Sequence, residues 1–147
     1  MKNQNQLVRG KTLNKSSKGE EKIELLLRKG GINYMREVYF SDLLGKKGAP
    51  LRFDFGIFIN RRLISLIEFD GKPHFEYTPY FHKQTSDFLK YRERDRRKNA
   101  YCLKHNIPLI RIPYWDLETL TLNKIFNTPS YRVVDKYHND NLIKNRK

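Results

Sequence analysis

Residues 51–75, LRFDFGIFINRRLISLIEFDGKPHF, constrain the fold more than any other stretch of the chain. Leu51, Phe53, Phe55 and Ile57 recur at every second position, the period of a strand with one apolar face, which puts Asp54 on the opposite face. Asn60, Arg61 and Arg62 follow as a tight turn. Residues 63–69 are then almost continuously apolar, the pattern of a central strand covered on both faces. Two such runs joined so closely predict an antiparallel hairpin. Asp54, Glu68, Asp70, Lys72 and His74 lie in the same segment. Carboxylates are costly to place among Phe, Ile and Leu unless something pairs with them.

The flanking sequence supplies the other elements. Ser17 and Glu20 fit a capping box at the head of a helix over 17–29, with Ile23, Leu26 and Leu27 as its apolar stripe and Gly30 and Gly31 as its stop. Residues 33–40 read as a first strand, and 41–50 as a Gly- and Lys-rich loop carrying Lys46 and Lys47. After the hairpin, 76–85 form an aromatic loop with Tyr77, Tyr80, Phe81 and His82. A long basic helix follows over 86–105, where Phe88, Tyr91, Asp95, Lys98 and Cys102 share one face. Residues 107–114 read as a fourth strand and 117–126 as a short helix. The expected class is α/β, a mixed central sheet of about four strands flanked by helices.

The chain has 147 residues, which points to one domain with short tails. Its 30 Lys and Arg against 16 Asp and Glu give a net charge of +14. A balance this basic argues for a polyanionic partner, most simply nucleic acid, against the bland alternative of a ribosomal-type or merely soluble basic protein. Cys102 is the only cysteine, which excludes an intrachain disulfide and a cysteine-based zinc cluster and is consistent with a reduced, intracellular setting. No run of about 18 apolar residues occurs, so no membrane span is expected. Residues 1–16 read as a flexible basic arm without the apolar core of a secretory signal, 17–128 as the domain, and 129–147 as a basic tail.

Hydrolysing a phosphodiester requires neutralising charge at phosphorus, activating water and stabilising the leaving oxygen. A divalent metal held by carboxylates serves all three, and a nearby lysine orients or deprotonates the water, or offsets charge in the transition state. Asp54, followed by Glu68-Phe69-Asp70-Gly71-Lys72-Pro73-His74, resembles the PD-(D/E)xK nuclease superfamily. It more closely resembles small phage and bacterial nucleases with an I-E-[FY]-D-G-x-x-H segment, among them relatives of very-short-patch repair endonucleases and some intron-encoded homing endonucleases. The resemblance extends to Ser17-x-Gly19-Glu20, to Asp95-x-x-Lys98-Asn99 and to Leu109-Ile110-Arg111-Ile112-Pro113, and so covers residues 17–126.

That resemblance implies a restriction-endonuclease-like core and a DNA endonuclease dependent on Mg²⁺, with Mn²⁺ as a substitute. It implies Asp54, Glu68 and Asp70 as metal ligands, Glu20, Lys72 and His74 as further catalytic residues, and DNA as the partner. It leaves room for a homodimer, for a homing, site-specific or repair role, and for the cytoplasm of a host cell if the chain is phage-encoded. The rival readings are a structure-specific junction-resolving nuclease and a non-catalytic basic DNA-binding protein. Two registers compete. Either Asp70-x-Lys72 is the acid–lysine pair with Glu68 as an extra carboxylate, or Glu68 is the metal-binding acid, Asp70 takes the usual lysine position, and Lys72 or His74 supplies the basic group.

Each residue also has a structural reading. Asp54 pairs with Arg52 or Arg61, Glu68 with a buried arginine, and Asp70 serves as a turn residue before Gly71. Lys72 is exposed, His74 caps a loop, Glu20 completes the capping box, and Asp95 and Lys98 form a helix-surface pair. Arg92, Arg94, Arg96, Arg97 and Lys98 form a solvated helix face or, beside a nuclease site, a phosphate-binding surface together with Lys46 and Lys47.

Overall fold

The hairpin expected from residues 51–69 lies in the middle of the sheet in the computed structural model, which describes residues 7–9, 16–72 and 85–134. In chain order the elements are β1 (Leu7–Arg9), α1 (Lys18–Lys29), β2 (Tyr34–Leu44), β3 (Pro50–Ile59), β4 (Arg62–Asp70), α2 (Thr85–His105), β5 (Leu109–Pro113), α3 (Leu122–Asn127) and β6 (Arg132–Val134). The strands form one six-stranded sheet in sequence order. Only the β4–β5 pair, bridged by the connection that carries α2, is parallel. The class is therefore α/β with a mixed sheet flanked by helices.

The expected sheet of about four strands is two strands short of the observed one. β1 and β6 come from the segments that read as arm and tail, and each has three residues. They join the sheet through antiparallel backbone pairing to β2 and β5. Such pairing to an open strand edge needs no apolar period in the added strand. β2 also runs past residue 40 to Leu44, burying Leu43, so the glycine-rich loop shrinks to a turn closed by Gly45 N–H to the Ala49 carbonyl at 2.8 Å.

Asn60 and Arg61 carry the β3–β4 turn with φ of +51° and +66°, the paired left-handed conformations of a two-residue hairpin loop. β4 is central, between β3 and β5, and its adjacent Leu66 and Ile67 enter different cores. One core joins Leu66, Phe53, Val38 and Leu109 to Tyr101 and Cys102 of α2. The other joins Ile67, Phe55, Ile57 and Ile110 to Ile23 and Leu27 of α1 and Ile125 of α3.

One expectation fails in an informative way. Leu51, Phe53, Phe55 and Ile57 do not share a face: the first two pack in the α2-side core, the last two in the α1-side core. The change falls at Asp54. Arg36 pairs with Phe55 and Val38 with Phe53, in constant register, while Glu37 and Asp54 between them are left out of the ladder. Glu37 has a φ of +53°, which turns β2 out of the regular pleat. Each strand thus swaps its faces across one missing rung.

Glutamate tolerates the left-handed region at a cost of roughly 1–2 kcal/mol. Glu37→Gly is therefore expected to hold or raise stability by up to about 1 kcal/mol, net of glycine's backbone entropy. Glu37→Val, branched at Cβ, should lower stability by about 1–3 kcal/mol. Urea unfolding of both variants measures the difference. If Gly proves as damaging as Val, left-handed strain at this position is not what governs it.

Candidate active site

The β3–β4 ladder ends at Phe55–Ile67. Asp54 and Glu68 occupy the next positions, where the strands part, and their carboxylates replace the missing backbone bonds. Asp54 N–H donates to Glu68 Oε1 at 3.1 Å, and Phe69 N–H donates to Asp54 Oδ2 at 2.7 Å. The Asp54 carbonyl accepts from Arg36 Nε at 3.4 Å. Both backbone groups of the unpaired residue are thus met by side chains, as buried backbone polar groups must be. Asp54 is half-buried, and Glu68 is only 3% exposed.

Further charged side chains converge from both layers. From α2, Lys98 Nζ donates to Glu68 Oε1 at 3.2 Å and lies 5.4 Å from the Phe53 ring centroid. From α1 comes Glu20. The helix seats directly on Phe69, so closely that a Cβ on Gly19 would fall 2.2 Å from the ring. Ser17 Oγ accepts from Glu20 N–H at 3.2 Å, one half of the expected capping box. The Glu20 carboxylate instead takes a 2.8 Å bond from Arg36 Nη2. Arg36 also contacts Glu24 and stacks 4.6 Å above the Phe55 ring.

The acids remain crowded. Burial, reinforced by Glu68 and Glu20, holds the Asp54 carboxyl well above the usual range, against the pull of Lys98 and the Phe69 N–H. Burial likewise raises Glu20; Arg36 opposes it, while Glu37 and Glu68 add to it.

Asp70 has different neighbours. Arg111 of β5 donates to Asp70 Oδ1 at 2.7 Å, bonds Asn99 Oδ1 at 2.9 Å, and lies 3.5 Å from Asp95 Oδ1. Burial works against the Arg111 charge, but Glu68, Asp70 and Asp95 outweigh it and raise its proton affinity. The trio Asp54, Glu68 and Asp70 is therefore divided: Asp54 and Glu68 touch each other, while Asp70 faces an arginine. Among the described residues no three or more His, Cys, Asp or Glu are arranged to hold a metal ion.

Lys72 is exposed just beyond β4, while His74 and the loop with Tyr77, Tyr80, Phe81 and His82 lie outside the described residues. Lys46 and Lys47 sit in the β2–β3 turn. Arg92, Arg94 and Arg96 are exposed on α2, whereas Arg97 bonds Glu93 and the Leu44 carbonyl. Asp54 is held by Glu68, Phe69 and Arg36. Sequence reasoning passed over Arg36 and Arg111 as working parts. Their signal was present: each is a charge inside an apolar strand, and buried arginines need acidic partners.

Comparison with other proteins finds viral relatives. The chain is 34% identical over 61 residues to "Uncharacterized protein 307L" of Invertebrate iridescent virus 6, a match covering 40% of this chain and 31% of that protein. It is 43% identical over 56 residues to "Uncharacterized protein 094L" of Frog virus 3, covering 37% of this chain and 36% of that protein. The chain thus spans about a third of the length of each. No protein-family model matches it, and no solved structure matches it.

Asp54 and Asp70 should respond differently to substitution. Removing Asp70 leaves Arg111 as a buried charge without its shortest partner, so Asp70→Ala should cost about 3–5 kcal/mol in chemical unfolding. A loss under about 1 kcal/mol would mean that Asp70 is not a structural anchor. Asp54 binds its proton more tightly folded than unfolded. Its favourable contribution is complete below about pH 3.9, the ordinary aspartate value, and disappears as pH rises through the raised folded value. In EDTA, Asp54→Asn should therefore be more stable than wild type at alkaline pH, with the gap closing toward about pH 4. Parallel stability curves would refute the crowding.

Proposed function

We propose that this chain is a Mg²⁺-dependent DNA endonuclease with a restriction-endonuclease-like core. The observation that carries the reading is the crowding of Asp54, Glu68 and Glu20 at a strand parting, beside Lys98, in a chain of charge +14. Asp54 and Glu68 meet backbone donors at the parting, but Glu20 adds a third acid that the sheet does not need. Their mutual repulsion is what a hard cation relieves.

The donor set fits Mg²⁺, which takes oxygen ligands and is commonly held by one or two carboxylates together with waters and substrate phosphate. Asp54 and Glu68 are the two that would hold it, and Mn²⁺ takes the same donors. Bound there, the ion supplies charge neutralisation at phosphorus and an acidified water. Glu68 anchors Lys98, whose ammonium offsets charge that builds on the phosphoryl oxygens. Glu20, steadied by Arg36, is placed to accept a hydrogen bond from the attacking water. Asp70 and Arg111 fix α2 against β4 and β5, and so fix Lys98. In this assignment Glu68 is the ligand of the second register, and the basic group comes from α2 instead of Lys72 or His74.

A second reading rests on a specific observation: Asp54 and Glu68 each accept a backbone N–H, so the same geometry serves a non-catalytic DNA-binding protein in which they only close the sheet. Supercoiled and linear DNA incubated with the protein in Mg²⁺, in Mn²⁺ and in EDTA separate the two. The nuclease should nick or cut in the metals and not in EDTA. Asp54→Asn should abolish cleavage while remaining folded, and Lys98→Ala should slow it by about 100-fold or more. DNA left intact by wild type in both metals would favour the binding-protein reading.

A further inference from the structure

A basic groove of about 420 Å³ opens between the β2–β3 turn and α2 and reaches Lys98, the cation bonded to Glu68. The turn lends it Lys46 and Lys47, and the helix lends it Arg94, Arg97 and Lys98. Among the described residues Glu93 is the only acid in its lining. Arg96 and Arg97 bond that acid and hold its carboxyl at about 2, so it stays ionised within arginine pairs. Arg97 also donates to the Leu44 carbonyl at 2.9 Å, which ties the helix to the end of β2 and sets the spacing of the walls. Pro50 and Leu51 add apolar surface.

Lys98 belongs to both the groove and the carboxylate cluster, since it lines the one and bonds Glu68 in the other. Lys98 is thus the cation that the groove shares with the cluster, in one lining with Lys46 and Lys47. The volume is that of a small-molecule pocket. It admits a short piece of one strand and not a duplex, whose major groove alone is about 12 Å wide. A cationic groove that tracks the phosphate backbone is one of the two features by which unpaired strands are bound, the other being stacked aromatics, which the described lining lacks.

We propose that this groove takes one unpaired DNA strand adjoining the phosphodiester that the carboxylates face. The preferred substrate is then DNA with a single-stranded segment, not uninterrupted duplex. This substrate assignment rests on the nuclease reading, but the binding of the strand does not.

The test is fluorescence anisotropy in EDTA with the full chain, using a single-stranded oligonucleotide, a blunt duplex and the same duplex with a single-stranded overhang. The groove variant is Lys46→Ala/Lys47→Ala/Arg94→Ala. Its control removes the same charge elsewhere: Lys29→Ala/Lys104→Ala/Lys124→Ala. All six positions are exposed, and thermal melts confirm folding of each variant. The groove variant should lose about 10-fold or more in affinity for the single strand and the overhang, and lower the salt slope by about 2. On blunt duplex it should behave like the control. Equal losses on all three DNAs, or losses no greater than the control's, would overturn the proposal. Cleavage is scored separately: strand binding through the groove by a protein that never cuts DNA sinks the nuclease reading alone. Cleavage with no effect of the groove variant sinks the groove alone.

Discussion

The missing rung between Glu37 and Asp54 is the constraint on which the rest of the molecule depends. With that rung formed, Phe53 and Phe55 would project to the same side of the sheet. With it absent, the same two strands feed Phe53 to α2 and Phe55 to α1. The backbone groups set free at Asp54 and Phe69 need partners, and an unmet buried donor costs roughly 1–3 kcal/mol. Asp54, Glu68 and Arg36 meet that need with charge-assisted bonds, the stronger kind. Structural necessity thus brings carboxylates to a place in the sheet where the backbone ladder is interrupted.

Three buried or nearly buried cations then divide the work. Arg36 of β2 holds α1 through Glu20 and Glu24. Arg111 of β5 holds α2 through Asp95 and Asn99 and engages Asp70. Lys98 reaches Glu68 from the same helix face that Arg111 holds. Glu20, Glu68 and Asp70 are thus paired with cations on other elements, so the positions of α1 and α2 are coupled to the cluster. This explains how Glu68 and Asp70, two apart on one strand, come to different ends: Glu68 meets the strand parting, and Asp70 meets the arginine on the parallel neighbour.

Much of this was legible in the sequence where the physics is local. The period of β3, the apolar run of β4 and the short turn between them located the hairpin and set Asp54 opposite Glu68. Ser17 announced the start of α1. The line of Asp95, Lys98 and Cys102 on α2 identified the face that meets the sheet. What stayed hidden depends on partners distant in sequence or on one backbone angle. Lys98 reaches Glu68 across 30 positions, and Arg111 reaches Asp70 across 41. The face switch turns on Glu37, a residue type that gives no hint of a left-handed φ. The edge strands leave no periodic trace because three residues are too few to carry one.

A chain of +14 that nevertheless raises the proton affinities of Asp54 and Glu20 looks paradoxical until distance is considered. At physiological ionic strength, exposed charges lose their influence over about 8 Å, whereas part-buried neighbours at contact distance are screened far less. The exposed arginines of α2 therefore do little to ease the crowding at Asp54, and burial, reinforced by Glu68 and Glu20, keeps its proton affinity raised. The fold keeps two electrostatic regimes side by side, a cationic exterior and a part-buried acidic cluster. They meet at Lys98, which lines the basic groove and bonds the buried acid.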